Sequence, residues 1–340
     1  MPAGGVQMPR QAVLLLAHGT PETVEQIPEY LRNVVSGRPM PQHVVEEIQH
    51  RYSLIGRSPL TELTLEQARL AEAELTKAGH DVRVYVGMRN WRPYIPDVVR
   101  QMQADGVQEA AVICLAPQNS RTSVGLYRRA ALAEAGAMRI DFTDGWADHP
   151  LLADAFAERL REAQARVKTE TDAYAPVLFT AHSVPARTVQ PPAPDENQPR
   201  HWPGEGADPY EQDARKTAEL VAGRVSEIPA WHFAFQSQGA SGGPWIGPTV
   251  EETIDILAAQ SVRNLILQPI GFLCDHVEIL YDIDIAFKAY AVGIGIDLIR
   301  PESLNASKIL ACAIADLAGQ GLKRLRTTGS AIEPSTISTL

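Results

Sequence analysis

Two short stretches of the chain end an apolar run in the same dipeptide: "AVLLLAHGTP" from Ala12 to Pro21 and "PVLFTAHSVP" from Pro176 to Pro185. Each places a histidine, His18 or His182, where a strand would turn into a loop. Imidazole binds borderline divalent metals and exchanges protons near neutrality. A single such histidine more often caps a strand or bonds a backbone carbonyl; a duplicated pair favours a ligand or proton-transfer role. A second group lies in "GFLCDHVEILYDID" (271–284), with Asp275, His276, Glu278, Asp282 and Asp284 just after another apolar run. If a helix starts near Asp275, Glu278 and Asp282 are four apart and share a face, with Asp275 one turn earlier on the same side. Helix capping accounts for Asp275 on its own. It does not account for Glu278 among Val277, Ile279, Leu280 and Tyr281, where apolar surroundings would tune a carboxyl toward proton exchange. Together with His182 these acids make a set of oxygen and nitrogen ligands for a divalent metal.

These groups need elements to position them. Apolar runs alternate with helical patterns along nearly the whole chain, which predicts an α/β fold with mostly parallel sheets flanked by helices. Strands are expected at 12–17, 82–87, 110–115 and 138–142, and again at 177–181, 232–236, 265–270 and 295–300. "TELTLEQARLAEAELTKAG" reads as an amphipathic helix with Thr61 as its N-cap and Gly79 as its stop, and "DPYEQDARKTAELVAGRV" as its counterpart. The repeat extends further: "AAVICLAPQNSRTSVGLY" aligns with "LILQPIGFLCDHVEILY" when Ala111 is set on Leu265. The expected architecture is two pseudo-equivalent Rossmann-like halves of four strands each, over 11–150 and 151–325. The last helix has the option of packing back on the first half, and 326–340 is expected to be a disordered tail. "VQPPAPDENQPRHWPGEG" (189–206) reads as a surface loop. Ligands of such sheets bind beyond the carboxyl ends of the strands, so His18 and His182 should face one cleft. On this alignment Arg121, Thr122 and Val124 oppose Asp275, His276 and Glu278. With Arg57 and Arg89 in other loops, the first half offers arginine and hydroxyl groups, suited to a carboxylate-bearing ligand.

Bulk properties narrow the function classes. The chain of 340 residues carries a formal charge of −10, which argues against nucleic acid as the main partner. No run approaches the roughly 20 apolar residues of a membrane span, and the first residues lack the apolar core of a signal peptide. Cys114, Cys274 and Cys312 are too scattered for a disulfide framework, and without C-x-x-C neither structural zinc nor an iron–sulfur cluster is expected. A soluble cytoplasmic protein without stable membrane association is the expectation.

The motifs together resemble the ferrochelatases, type II tetrapyrrole chelatases that insert Fe²⁺ into a porphyrin. "AHSVP" resembles the family's Ser/Ala-His-Ser-Leu-Pro signature, and "GFLCDHVEILYDID" its Asp-His-x-Glu-x-x-x-(Asp/Glu)-x-Asp segment. "FQSQGASGGPWIGPTVEE" (235–252) resembles its Gln-Ser-(…)-Pro-Trp-Leu-x-Pro segment, and "RYSLIGRSPLTELTLEQ" (51–67) its Ile-Gly-(…)-Ser-Pro-Leu segment. The likeness runs from about residue 10 to residue 320. It implies that His182 and Glu278 are the catalytic pair on one porphyrin face, handling metal and pyrrole protons. Asp282 then continues an acidic line that ends early, because Ala286 replaces an acid of the family pattern. His18 stands where relatives carry Tyr, Met or another residue, and sirohydrochlorin chelatases carry His-Gly-Ser in a similar setting. It is expected to ligate iron axially or to handle metal. The substrate-binding set implied is His18, Arg57, Ser58, Arg89, Arg121, Thr122, Gln236, Ser237 and Trp245. "NVVSGRPMPQHVVEE" (33–47) lacks a long hydrophobic lip, which resembles the soluble enzymes that use coproporphyrin III. Fe²⁺ is then a substrate, no cofactor is tightly bound, and contacts with other haem-pathway enzymes are transient.

Other readings fit less well. Protoporphyrin IX is the alternative substrate, and cobalt or nickel insertion into a corrin precursor the alternative reaction. A haem or metal carrier would share the cleft and histidines but needs no Glu278. "GASGG" (239–243) matches a G-x-S-x-G nucleophile elbow, but Pro244, Gly247 and Pro248 delay a helix to about Thr249, whereas an elbow turns directly into one. "GIG" at 293–295 lacks the third glycine of a dinucleotide site, and there is no P-loop.

Overall fold

The computed structural model describes residues 10–190, 207–238 and 243–327. Its first half runs β1 (Gln11–Ala17), α1 (Ile27–Val34), α2 (Gln42–Ile55), α3 (Leu60–Lys77), β2 (Arg83–Met88), α4 (Ile95–Ala104), β3 (Glu109–Cys114), α5 (Val124–Ala133) and β4 (Arg139–Thr143). The long α6 (Pro150–Thr171) leads into β5 (Val177–His182), α7 (Ala186–Val189), α8 (Tyr210–Ala222), β6 (Trp231–Gln236), α9 (Val250–Ala259) and β7 (Asn264–Pro269). A π-helical segment (Glu278–Phe287), α10 (Lys288–Gly293), β8 (Asp297–Ile299) and α11 (Lys308–Thr327) complete it.

The strands form two four-stranded sheets in the orders β2-β1-β3-β4 and β6-β5-β7-β8, with every neighbour parallel. Each expected strand is present. Central strands β1, β3, β5 and β7 are apolar at nearly every position because both faces are covered, one by the core shared between the halves and one by an outer helical layer. That shared core joins Val13 and Ile113 of the first sheet to Phe179 and Ile266 of the second through α6 and α11. Helix α11 packs on α3, β3 and β4. A Cβ on its Gly321 would lie 2.9 Å from Ala111 Cβ, so glycine lets the helix sit close on β3. No helix among the described residues is long and apolar enough to cross a membrane.

The structure corrects several local expectations. Val13 pairs with Ala111 and Val177 with Ile266, so Ala111 corresponds to Ile266 and not to Leu265. A one-residue slip turns a strand's side chains to the other face. Indeed Ala111 and Ile266 both enter the shared core, whereas Leu265 faces the outer layer. The slip does not carry past the loops that follow: the next helices begin at Val124 and at Glu278, so these two still correspond, with Val124 buried in the outer layer. Helix α3 starts one residue before Thr61, with Pro59 at its cap, and Thr61 Oγ1 is buried without a partner. Helix α9 does begin after Thr249, whose hydroxyl accepts from Glu252 N–H while the Glu252 carboxylate accepts from Thr249 N–H, a reciprocal capping box. Most of the proline-rich loop, Gly239–Gly242 of "GASGG" and the tail from 328 lie outside the described residues.

Candidate active site

Both sheet orders reverse direction between their two central strands, and the loops after β1, β3, β5 and β7 meet there. The cleft between them has a volume of about 300 Å³ and is lined by His18, Arg89, His182, His276 and Glu278 among others.

On the second half's side, His182 closes β5. Its Nδ1–H donates to the Ser183 carbonyl, and its Nε2 faces Glu278 Oε1 at 3.5 Å. Ser183 is held in turn, its N–H donating to the Gln236 carbonyl at 2.6 Å and its hydroxyl to the Ile246 carbonyl at 2.8 Å. The Tyr210 hydroxyl donates to the carbonyl of His182 itself at 2.8 Å. The loop after β7 crosses directly over the end of β5. A Cβ on Gly271 would lie 3.1 Å from Ala181 Cα, so only glycine passes easily here. That crossing brings Phe272 edge-on to His182, and His276 to Glu278, with His276 Nε2 3.5 Å from Glu278 Oε2. Nδ1–H of His276 donates to the Cys274 carbonyl at 3.1 Å. Glu278 therefore sits between two imidazoles, one on each carboxylate oxygen.

Electrostatics follow from this placement. Burial works against a charge on His182, but the Glu278 charge, its hydrogen bond and the Ser183 carbonyl outweigh burial and raise the imidazole to about 9. Glu278 goes the other way: burial opposes ionisation, yet His182 and His276 hold it well below the usual carboxylate range. About a third of each side chain of the pair is open to the cleft, deep below the surrounding surface. At neutral pH the pair is an imidazolium and a carboxylate.

On the first half's side, His18 follows β1 and makes a different set of contacts. Its Nε2 lies 2.9 Å from the Tyr30 hydroxyl, and Asn90 Nδ2 lies 3.1 Å from Nε2 and 3.3 Å from Nδ1. The turn bearing Asn90 is pinned to the end of β1 by Arg89 N–H on the Ala17 carbonyl and Asn90 N–H on that of His18, each 2.9 Å. Gly19, at φ +84, admits this turn, since a Cβ there would meet Trp91 N at 2.9 Å. Burial first, then the nearby Arg89 charge, push His18 down to about 3, so it is neutral.

The other expected site residues divide. Ser58, Arg89 and Thr122 line the cleft. Ser58 Oγ is buried without a hydrogen-bond partner, and the Arg89 guanidinium stacks 5.2 Å from the Tyr127 ring centroid. Arg57 does not reach the cleft: it is exposed and pairs with Glu62 at 2.7 Å. Arg121 does not either. Its backbone and guanidinium hold Asp208, and Nη2 donates to the carbonyls of Thr188 and Gln190, so it ties the first half to the segment after β5. Gln236 is buried behind Glu278, accepting from Thr180 at 2.6 Å and lying 3.5 Å from the Glu278 carbonyl. Ser237 donates to Asp282, which also meets Arg51 at 3.2 Å. Asp282 is thus turned away from the cleft, and burial raises its pKa despite the Ser237 bond. Trp245 bridges to Pro185 in a short antiparallel contact and supports the turn after His182. Asp275 leaves the Glu278 side altogether, bonding Ser303 and Asn305 beside Arg300.

The four side chains expected to share a metal, His18, His182, Glu278 and Asp282, therefore do not form one ligand set. Among the described residues no group of three or more His, Cys, Asp or Glu side chains is arranged to hold a metal ion. Sequence reasoning missed Tyr30 and Asn90, which hold His18, and the place of His276 on Glu278. His276 stands inside the quoted motif and had a signal; Tyr30 and Asn90 had none.

Comparison with known proteins agrees with this geometry. The ferrochelatase family model matches residues 10–322. The ferrochelatase of Acidobacterium capsulatum is 60% identical over 327 residues, covering 96% of this chain and 98% of that protein. The coproporphyrin III ferrochelatase of Halalkalibacterium halodurans is 35% identical, covering 86% of this chain and 91% of that protein. The cobalt-bound sirohydrochlorin chelatase of Bacillus subtilis subspecies spizizenii shares the fold, with a TM-score of 0.54, 11% identity, and coverage of 93% of this chain and 97% of that one. With a family match over nearly its whole folded length and a relative this similar, the chain belongs to the ferrochelatase family, metal-chelating lyases of haem biosynthesis.

Proposed function

We propose that this enzyme inserts Fe²⁺ into coproporphyrin III, with His182 and Glu278 as the catalytic pair. The observation that carries the reading is the 3.5 Å contact of His182 with Glu278 at the strand ends. Insertion exchanges two pyrrole protons for one Fe²⁺, so the site must accept protons while iron enters the ring. At neutral pH Glu278 is the ionised group able to take the first. Once protonated, it no longer holds the charge on His182. Burial, which opposes the imidazolium, then releases that proton to solvent through the open cleft. The neutral imidazole left behind can meet the metal, or take the second pyrrole proton and release it to solvent by the same route. Fe²⁺ is substrate in this scheme, and no tightly bound cofactor takes part.

Arg89 supports a substrate rich in carboxylates, because among the described residues it has no acidic partner and it lines the cleft beside Thr122. The unpartnered Ser58 hydroxyl supports the same reading, as does the likeness to proteins named for coproporphyrin III. With Arg57 and Arg121 engaged elsewhere, the preference rests on fewer cations than the loops contain. We also infer that His18, neutral on the opposite wall, is the axial ligand of the inserted iron, for which its Nε2 must exchange Tyr30 for the metal. The test is anaerobic incubation with Fe²⁺ and either coproporphyrin III or protoporphyrin IX, followed by absorbance. A higher kcat/KM for coproporphyrin III is expected. A higher value for protoporphyrin IX refutes the preference, and no metalloporphyrin from either refutes the reaction.

A further inference from the structure

Glu278 and Asp282 lie on a segment that is π-helical over ten residues. The i→i+5 pattern is rare and occurs mostly as single turns. At its end the Lys288 N–H reaches the Ile283 carbonyl. An uncommon backbone of this length persists where its surroundings over-determine it. The acids of the quoted motif that do not enter the cleft show what does so here. Asp284, inside the segment, is gripped in a fork by Arg300, with Nε at 2.6 Å from Oδ1 and Nη2 at 2.8 Å from Oδ2. Asp275, just before the segment, accepts from Arg300 Nη1 at 3.2 Å, from the Ser303 hydroxyl at 2.7 Å and from Asn305 Nδ2 at 3.0 Å. Its own N–H donates to Asn305 Oδ1 at 2.9 Å. The side chains of Arg300 and Asp275 are 16% and 18% exposed and that of Asp284 is 34% exposed, so the network is shielded at its centre and opens to solvent at Asp284. One guanidinium thus spans the stretch that contains Glu278 from both sides, in a planar geometry that lysine cannot copy.

We propose that Arg300 is a positioning residue for metal insertion: by joining Asp275 to Asp284 it fixes the pitch of the π-helical segment and so the setting of Glu278 over the cleft. It touches neither the cleft nor the reacting atoms and acts through Glu278. Its functional half rests on the chelatase reading above; its structural half does not.

Both halves are tested in the full-length protein with Arg300→Lys, and with Asp284→Asn as a milder variant should the first fail to fold. Hydrogen exchange of the amides of 278–287, compared with those of β5 and β7, reads the brace without any turnover. Faster exchange confined to the π-helical segment is expected; unchanged exchange overturns the proposal. Anaerobic kinetics with Fe²⁺ and porphyrin varied separately reads the positioning. The KM for Fe²⁺ should rise, or kcat fall, on the order of 10-fold to 100-fold, the usual cost of losing a partner that orients a ligand, while the KM for porphyrin stays near the wild-type value. If exchange quickens but Fe²⁺ kinetics do not change, or if both KM values rise together, Arg300 stabilises the fold and positions nothing. A wild-type protein without turnover would reject the chelatase reading, and the exchange comparison would still decide the brace.

Discussion

Strands β1 and β5 end in the same Ala-His pair at the same place in two sheets of identical order, yet their imidazoles are held in opposite states. His182 faces a carboxylate and is raised to about 9; His18 faces a phenol, an amide and the Arg89 charge and is lowered to about 3. Both are desolvated, so burial alone does not separate them. The separation comes from what the loop after the third strand of each sheet supplies. In the second half that loop delivers Glu278, and in the first half it brings only the hydroxyls of Thr122 and Ser123 to the cleft. A hydroxyl cannot hold a proton on a buried imidazole; a carboxylate can. One repeated scaffold therefore yields one strand end with a charged imidazole–carboxylate pair and another with a neutral imidazole.

The largest effect should come from removing the acid that makes the difference. Glu278→Gln keeps the shape and deletes the charge, and it should lower kcat by ~100-fold or more, as should His182→Ala. Porphyrin binding, followed by fluorescence, should survive in both. Turnover within a few-fold of wild type in either variant would break the assignment. The same Glu278→Gln protein sharpens the cause. With the carboxylate gone, burial acts on His182 unopposed by Glu278, and the imidazole should fall from about 9 to below its ordinary 6.5. Histidine NMR titration reads this directly. A His182 that still titrates near 9 would show that the Ser183 carbonyl or Asp282, not Glu278, holds its proton.

On the neutral side a smaller change in turnover is expected. His18→Ala removes the proposed axial ligand but not the proton acceptors, so it should retain activity within about 10-fold. The visible spectrum of the product-bound protein should change. An identical spectrum would remove the ligand role, and complete inactivity would mean that the two histidines share the chemistry more evenly than their surroundings suggest.

How much of this asymmetry could be read in advance depends on which interactions are local. The strands were legible because buried parallel strands are written as continuous apolar runs, and the paired Ala-His ends marked the cleft. Their mutual register was not, since a Leu-rich strand looks equally apolar on either face; the slip set Ala111 on Leu265 where Ile266 belongs. Glu278 stood out as a carboxylate among apolar neighbours. The fate of the arginines did not, because it is set by partners remote in the chain: Asp208 takes Arg121 across 87 positions. The π-helical pitch was invisible for a related reason. It depends on Arg300, which belongs to no motif and acts from beyond α10. His276 was in plain sight, but its contact with Glu278 needs the loop crossing that Gly271 permits.

The smallest expected effect concerns stability, and it tests whether His18 is neutral independently of any iron. Its folded pKa of about 3 lies below the ordinary 6.5. Below pH 6.5 the unfolded chain therefore takes up a proton that the folded chain refuses, and stability is lost as pH falls from there toward about 3. The limit for one full proton is about 1.4 kcal/mol per pH unit. The ring is partly open to the cleft, so a slope on the order of 0.5–1 kcal/mol per unit is the reasonable expectation. His182 has the opposite sign: its contribution is complete below 6.5 and lost as pH rises through about 9. Urea unfolding of the wild type and His18→Gln at pH 7, 6 and 5 isolates the His18 share, because glutamine keeps a polar side chain that does not titrate. The wild type should lose stability faster than the variant over that range. If the two curves stay parallel, His18 takes up its proton in the folded protein as readily as in the unfolded one. The neutral imidazole, and with it the contrast between the two strand ends, would then have to be given up.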